Sequence, residues 1–341
     1  MRGTFFLFTA GKKRRAALYF APGLRYTFFG RRKMNLIFIN GTMGAGKTTV
    51  SRALQKLMPP CVFADGDNFW DMNPFTVNGR SKEMVLSNIA ASLAGFIESG
   101  LFENILFCWV MHEESIVKDL LSRIPAHKCR FFLFTLTCDE QALKARLSAD
   151  IAAGRRSEGV TERSRERAAH YGGMLSYKID TSFLSPEGAA ERIAATVRGK
   201  TALLPYIKTE TLTQDCRRIR EKVFVEEQGF EREFDGQDEH CFHLCFYKDG
   251  KPAACCRFFQ TEIAGVYALG RIAVLREYRS QGLGRYVLQA AEECARQSGA
   301  AALTLSAQVR ARGFYEKCGF SAEGEVFPEE GVPHIRMTKK I

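Results

Sequence analysis

Three short stretches of this chain carry residue types and spacings suited to phosphate and proton chemistry. The first is Gly41-Thr-Met-Gly-Ala-Gly-Lys-Thr48, of the form G-x-x-x-x-G-K-[ST]. Glycines at 41, 44 and 46 let backbone N–H groups approach phosphate oxygens, and the start of a following helix adds positive potential. Lys47 would reach the β and γ phosphates, Thr48 would hold Mg²⁺, and Thr49 stands beside it in the same first turn. The second stretch is Asp65-Gly-Asp67, at the end of the apolar run Cys61-Val-Phe-Ala. At the C-terminal edge of a parallel sheet, one of these carboxylates can organise Mg²⁺ while the other takes a proton from a substrate hydroxyl; a plain surface turn is the alternative. The third is Arg279-Ser-Gln-Gly-Leu-Gly284, where Gly282 and Gly284 let the amides from Gln281 through Leu283 to Gly284 form an anion nest at a helix start.

The elements that must position these stretches follow from the apolar periodicity. Asn35-Leu-Ile-Phe-Ile-Asn40 reads as a strand, and Val50, Ala53, Leu54 and Leu57 recur at helical spacing after the first glycine loop. Further strands are expected at 104–110, 131–137 and 177–181, with a helix over 81–99 that places Val85, Ile89, Leu93 and Phe96 on one face. This is a βαβ series with a parallel core. The pattern stops around 198–204 and a new one begins at Tyr206-Ile-Lys-Thr. There, a strand at 270–274 leads through the second glycine loop into a helix with Val287, Leu288, Ala291 and Cys294 on one side, followed by a strand at 302–307.

With its flanking strand and helix, the first half resembles the small-molecule kinases of the P-loop class, such as shikimate, gluconate and adenylylsulfate kinases, whose second strand also ends in D-x-D. The resemblance implies that Asp65 organises the metal and that Asp67 is the substrate-facing base. It also carries over lid arginines onto Arg155, Arg156, Arg163 and Arg167, which could equally form a solvated basic helix face. Trp70, Asn73 and Phe75 follow Asp67 and would either wall the acceptor or pack their own loop. No N-K-x-D element is present to read guanine.

The second half resembles the GNAT acetyltransferases, on the R/Q-x-x-G-x-G/A loop at 279–284 and on Phe314-Tyr-Glu-Lys-Cys-Gly-Phe320, which matches an F-Y-x-x-x-G-F helix end. More narrowly, Val223-Phe-Val-Glu-Glu-Gln228, Glu233-Phe-Asp-Gly-Gln-Asp238, Leu305-Ser-Ala-Gln308 and Pro333-His-Ile-Arg-Met337 look like the ElaA-type members. The resemblance covers 205–341. It implies that the amides of Ile272 and Val274 bind pantetheine and thioester, that Arg279, Gln281, Gly282, Leu283 and Gly284 form the pyrophosphate site, and that Tyr315 protonates the departing thiolate. The position often occupied by Asn, seven before the tyrosine, is Gln308, which puts its usual contact in doubt. For the base that takes the amine's proton the chain offers Glu227, Asp238, His243 and His334, with a water relay as the alternative.

The 341 residues are 46% hydrophobic and 26% charged, which excludes a disordered or fibrous chain, and no apolar run approaches the length of a membrane span. The formal charge of +11 is concentrated at the start: nine Lys or Arg and no acid fall in residues 1–33, leaving 40 basic against 38 acidic side chains. A nearly neutral body argues against nucleic acid as a partner and points to small-molecule substrates. The basic leader reads as an upstream extension outside the native protein, or else as a targeting or surface arm. Eleven cysteines, without a short-spaced framework, are read as reduced thiols in a cytoplasm. His240, Cys241, His243 and Cys245 are read as residues of a half-buried strand rather than metal ligands, as are the neighbours Cys255 and Cys256.

The expected fold class is therefore α/β, a P-loop NTPase parallel-sheet domain over 34–200 followed by a GNAT mixed-sheet domain over 205–341. The expected function is bifunctional. An ATP- and Mg²⁺-dependent phosphorylation of a small-molecule hydroxyl would be joined to acetyl transfer from acetyl-CoA to an amine, with oligomeric state left open. The alternative is a nucleotide-sensing regulator in which only one domain is catalytic.

Overall fold

A computed structural model describes residues 34–341 apart from Arg155 and Ser157; the leader and the lid position Arg155 lie outside the described residues. The first half runs β1 (Met34–Asn40), α1 (Lys47–Leu57), β2 (Cys61–Asp65), α2 (Gly79–Ser99), β3 (Asn104–Cys108), α3 (Glu114–Ser122), β4 (Cys129–Thr137), α4 (Glu140–Ala152), α5 (Val160–His170), β5 (Tyr177–Asp180) and α6 (Pro186–Val197). Its five strands are all parallel in the order β2-β3-β1-β4-β5. β1 is apolar along its length because both faces are covered: Leu36 and Phe38 pack in the α2 and α3 layer, Ile37 and Ile39 in the α1 and α6 layer. The chain leaves β1 for β2 on one side and crosses from β3 to β4 on the other, so the loop after β1 opens at a topological switch point, where such sheets bind ligands.

The second half runs β6 (Tyr206–Thr209), α7 (Gln214–Arg220), β7 (Phe242–Lys248), β8 (Lys251–Gln260), β9 (Val266–Val274), α8 (Leu283–Gln297), β10 (Ala302–Gln308), α9 (Arg312–Glu316), β11 (Ser321–Glu329) and β12 (Val332–Lys340). α7 continues into one wider π-helical stretch at Glu221–Glu226. The seven strands follow the order β11-β12-β10-β9-β8-β7-β6, antiparallel except for β9 and β10. That parallel pair needs a crossover, and α8 supplies it, burying Val287, Leu288, Ala291 and Cys294 against the sheet. β9 and β10 are paired only from Ala302–Val266 to Thr304–Ala268. Beyond that point the strands diverge and leave a wedge between Gly270–Val274 and Leu305–Gln308.

The halves are joined by more than the chain. Ser176 forms an isolated antiparallel bridge with Tyr206, and the Nζ of Lys178, 5% exposed, donates to the Tyr206 carbonyl at 2.6 Å and to Met174 O at 2.9 Å. At the end of α8, Gln297 Nε2 donates to Thr137 Oγ1 (3.1 Å) and to Asp180 Oδ2 (3.2 Å), at the C-terminal ends of β4 and β5. No helix among the described residues is long and apolar enough to cross a membrane.

Candidate functional site

The loop after β1 has the backbone its glycines foretell. Gly41, Gly44 and Gly46 all take positive φ, at 145°, 81° and 90°. At Gly44 the constraint is also steric, since a Cβ would fall 2.8 Å from Leu147 of α4. α5 fastens the loop from the other side: Thr42 Oγ1 donates to the Ser164 carbonyl at 2.6 Å, and Ser164 Oγ donates to Met43 O at 2.6 Å. Lys47 folds back over the loop, its Nζ donating to Thr42 O at 3.0 Å. Burial draws its pKa below the ordinary lysine value, opposed mainly by the Asp67 carboxylate and reinforced by the nearby Arg156 guanidinium.

Thr48 and Thr49 are exposed in the first turn of α1. The Thr48 hydroxyl donates to Asp65 Oδ2 at 2.7 Å, while Asp65 Oδ1 accepts the Asp67 amide at 3.1 Å. Thr48 and Asp65 thus present two hard oxygen donors side by side, a set that fits Mg²⁺, which takes one or two protein ligands and completes its shell with water and phosphate. The described residues hold no group of three or more His, Cys, Asp or Glu placed to bind a metal ion. Asp67 is exposed on the short helical turn after β2, and no side-chain hydrogen bond or ion pair occupies its carboxylate among the described residues.

The lid arginines are not all brought to this loop. Arg156 is, although it also binds Asp150 at 3.1 Å; Arg163 is exposed and among the described residues donates to the Gly159 carbonyl of its own helix start, at 3.5 Å. Arg167 stands instead beside His112 and Tyr171. Trp70 and Phe75 lie together at 6.2 Å between ring centroids, with Phe75 68% exposed.

In the second half, the wedge between β9 and β10 sets the geometry. Leu275 N–H donates to Ala253 O of β8, so the alternation of a strand turns the Val274 amide the other way, into the wedge, and Ile272 follows one position beyond a shift of register. Val274 O faces that side too, where it accepts Arg279 Nε at 2.9 Å. The rest of the Arg279 guanidinium meets Glu227 Oε2 at 2.7 Å. Val223, Glu227, Gln228, Arg279 and Arg310 enclose a small cavity of about 370 Å³ with Ile272 and Val274. Gln308, where the family often has Asn, donates to Gln228 Oε1 at 2.8 Å and accepts from Arg310 Nε at 2.7 Å, and is not bonded to Tyr315.

At the start of α8, Ser280 (φ 61°) and Gly282 (φ 78°) are left-handed, the kind of backbone from which successive amides can form an anion nest. Gly282 carries that conformation. Gly284 does not: it sits in the helix that begins at Leu283, and a Cβ on it would point at Phe314, 3.3 Å away, rather than into the nest. Lys248, at the end of β7, donates to Gln281 Oε1 and adds a cation to the nest. Sequence reasoning missed it, because only the Asp249-Gly250 turn beside it is legible locally.

Tyr315 lies against the core, edge-on to Phe314 and Phe320, and lines a cavity of about 1100 Å³ together with Ile272 and Gln308. Burial pushes its phenol up to about 12. Of the four base candidates, two are corrected. Asp238 binds Arg220 at 2.7 and 3.0 Å and Arg257 at 2.8 Å; these hydrogen bonds outweigh burial and hold its carboxyl down at about 2, where it is too weak a base. His243 is 1% exposed and its Nε2 is bonded to the Asp238 carbonyl at 3.0 Å, away from the cavity. His334 does line the cavity. Its Nδ1 sits 2.9 Å from the Val332 carbonyl, which can only accept, so in the neutral ring the proton is on Nδ1 and the lone pair on Nε2. Glu227 remains at the small cavity, paired with Arg279.

Comparison with known proteins finds a family match in each half. A family described as the Acetyltransferase (GNAT) domain matches residues 208–341. An uncharacterized N-acetyltransferase of Bacillus subtilis, YjcF, is 36% identical over 135 residues, which are 39% of this chain and 95% of that protein. The chain belongs to the GNAT acetyltransferases. The uncharacterized protein YyaT of the same organism is 36% identical over 141 residues, covering 40% of this chain and 93% of YyaT. The Escherichia coli protein ElaA is 27% identical over 128 residues, 36% of this chain and 84% of ElaA, in line with the ElaA-type resemblance of the GNAT half. Ahead of it, a family described as an AAA domain matches residues 37–169, in keeping with the P-loop kinase-like reading of that half.

Proposed function

We propose that this GNAT protein is a two-domain transferase divided near residue 200, which moves an acetyl group from acetyl-CoA to an amine in its second half and phosphorylates a small-molecule hydroxyl with Mg-ATP in its first. The observation that carries the acetyl-transfer reading is the wedge itself. It opens amides of β9 beside Tyr315 at one end of a large cavity, and the pyrophosphate nest of α8 lies at the other end of the same strand–helix connection. Pantetheine would follow the Ile272 and Val274 amides, with Gln281–Gly284 on the pyrophosphate. The amine enters from the far side of the cavity, past Glu262, Glu323, Glu329 and Glu330, whose carboxylates draw in an ammonium. His334 Nε2 takes its proton, and Tyr315 donates to the departing sulfur.

In the first half, Thr48 and Asp65 would hold Mg²⁺, which supplies charge neutralisation between the β and γ phosphates. Asp65 is committed to Thr48 and the Asp67 amide, which leaves Asp67 to accept the substrate proton. A cytoplasmic setting fits thiols kept reduced.

Thiol release from acetyl-CoA, followed with a panel of mono- and diamines, tests the acetyl-transfer reading. Release is expected to rise with amines that carry a second positive charge and to fall in His334→Gln. Release that is indifferent to every amine would count against an amine acceptor. The reading of the first half as a sensor draws on one observation: α8 begins at the nest and ends on Thr137 and Asp180, so the two cradles share one rigid element. An acetyl-CoA affinity that changes with Mg-ATP would favour it.

A further inference from the structure

Five described residues other than glycine have positive φ: Met111, Asp249, Arg271, Ser280 and Glu330. Four are in loops and turns, whereas Arg271, at φ 52°, lies inside strand β9. A side chain in that region costs of order 1 kcal/mol or more and persists only where its surroundings impose it. The pairing with β8 slips at the same place: Ala273 faces Cys255 and Gly270 faces Arg257, so Arg271 and Ile272 together oppose Cys256. This is a β-bulge, which re-aims the strand beyond it.

The bulge is clamped through the Arg271 side chain. Its Nε lies 3.0 Å from Glu233 Oε2 and donates to the Glu233 carbonyl at 3.2 Å, and its Nη2 meets Asp235 Oδ2 at 3.1 Å. Those acids are themselves fixed. Arg220, 1% exposed, holds Glu233 at 2.5 Å and Asp238 at 2.7 Å, and Arg257 holds Asp235 at 2.6 Å and Asp238 at 2.8 Å. Three arginines and three carboxylates so form one network, of which Glu233, Asp235, Arg257 and Arg271 line the large cavity. Burying such charges gains little stability over an apolar core of equal volume, so the network calls for a positional reason.

We propose that Arg271 is a positioning residue for acetyl transfer: gripped by Glu233 and Asp235, it holds the left-handed turn in β9 that aims the Ile272 amide into the wedge, at the thioester carbonyl. The guanidinium acts through the backbone and does not itself touch the acetyl group. The stretch Glu233-Phe-Asp-Gly-Gln-Asp238 thereby gains a role as the clamp's fixed jaw.

The carbonyl stretch of bound acetyl-CoA labelled with ¹³C at the acetyl carbonyl reads this directly, because a hydrogen bond lowers its frequency. Arg271→Ala should move the band to higher frequency, with acetyl-CoA affinity by calorimetry within about threefold of wild type, since the Gly282 nest is untouched. Arg271→Gly, which adopts φ 52° freely but has no clamp, should show a smaller shift in the same direction with a broader band, and Arg271→Lys should fall closer to wild type. An unmoved band in Arg271→Ala overturns the proposal. So does a loss of acetyl-CoA affinity as large as any loss of turnover, which would mark general damage. Should Arg271→Ala fail to fold, Asp235→Asn, at a partly exposed jaw of the clamp, carries the same expectation, and an unmoved band there also overturns it.

Discussion

Tyr315→Phe is expected to slow acetyl transfer by about 10²-fold, the low end of the ~10²- to 10⁴-fold range for a lost general acid, without loosening acetyl-CoA. The low end follows from acidity. At about 12 the phenol stays protonated at neutral pH, but it is a weaker acid than a thiol, so it stabilises the departing sulfur chiefly as a hydrogen-bond donor and completes the proton transfer late. The variant keeps the ring, and with it the contacts to Phe314 and Phe320 that pack it on the core. Its hydroxyl makes no hydrogen bond to another described residue, so removing it strands no partner. Thiol release and calorimetry on the same preparation check the two halves of this expectation. Unchanged release would remove Tyr315 from the mechanism.

In the first half, Asp67→Asn and Lys47→Ala are expected to fail in different ways. The Asp67 carboxylate is exposed and unshared, whereas Asp65 is already bonded to Thr48 and to the Asp67 amide. Removing the Asp67 charge should therefore lower phosphoryl transfer by ~10²- to 10⁴-fold with nucleotide affinity nearly intact. Lys47→Ala removes the cation over the loop and should weaken Mg-ATP binding itself. Full phosphoryl transfer in Asp67→Asn would return that carboxylate to the status of a turn residue.

What was legible in the sequence was local. The two glycine loops carry their flanks with them, so strand, loop and helix could be read at 35–57 and at 270–294 from apolar spacing alone, and β2 was read to its end at Asp65. The positive φ at Gly41, Gly44, Gly46 and Gly282 follows from the same local logic. Pairings between distant segments were not legible. Asp238 looks like a free carboxylate until Arg220 and Arg257 are folded onto it, and a side chain at Gly284 would be expected to fill the nest until Phe314 is seen across from it. Lys248 reaches Gln281 from 33 positions away, and Gln297 reaches Thr137 across 160. Neither contact leaves a periodic trace. The strand order β2-β3-β1-β4-β5 likewise depends on which edge each crossover chooses, which apolar runs do not encode.

The central claim is that one chain holds two separate nucleotide cradles, and calorimetric titration of the full chain with acetyl-CoA and Mg-ATP tests it most directly. Each ligand should bind once per chain and still bind with the other already present. Gly282→Val, which forces a β-branched residue into φ 78° at the nest, should abolish the acetyl-CoA isotherm alone, and Lys47→Ala should diminish the Mg-ATP isotherm alone. Displacement of one ligand by the other, or normal acetyl-CoA binding by Gly282→Val, would contradict the account.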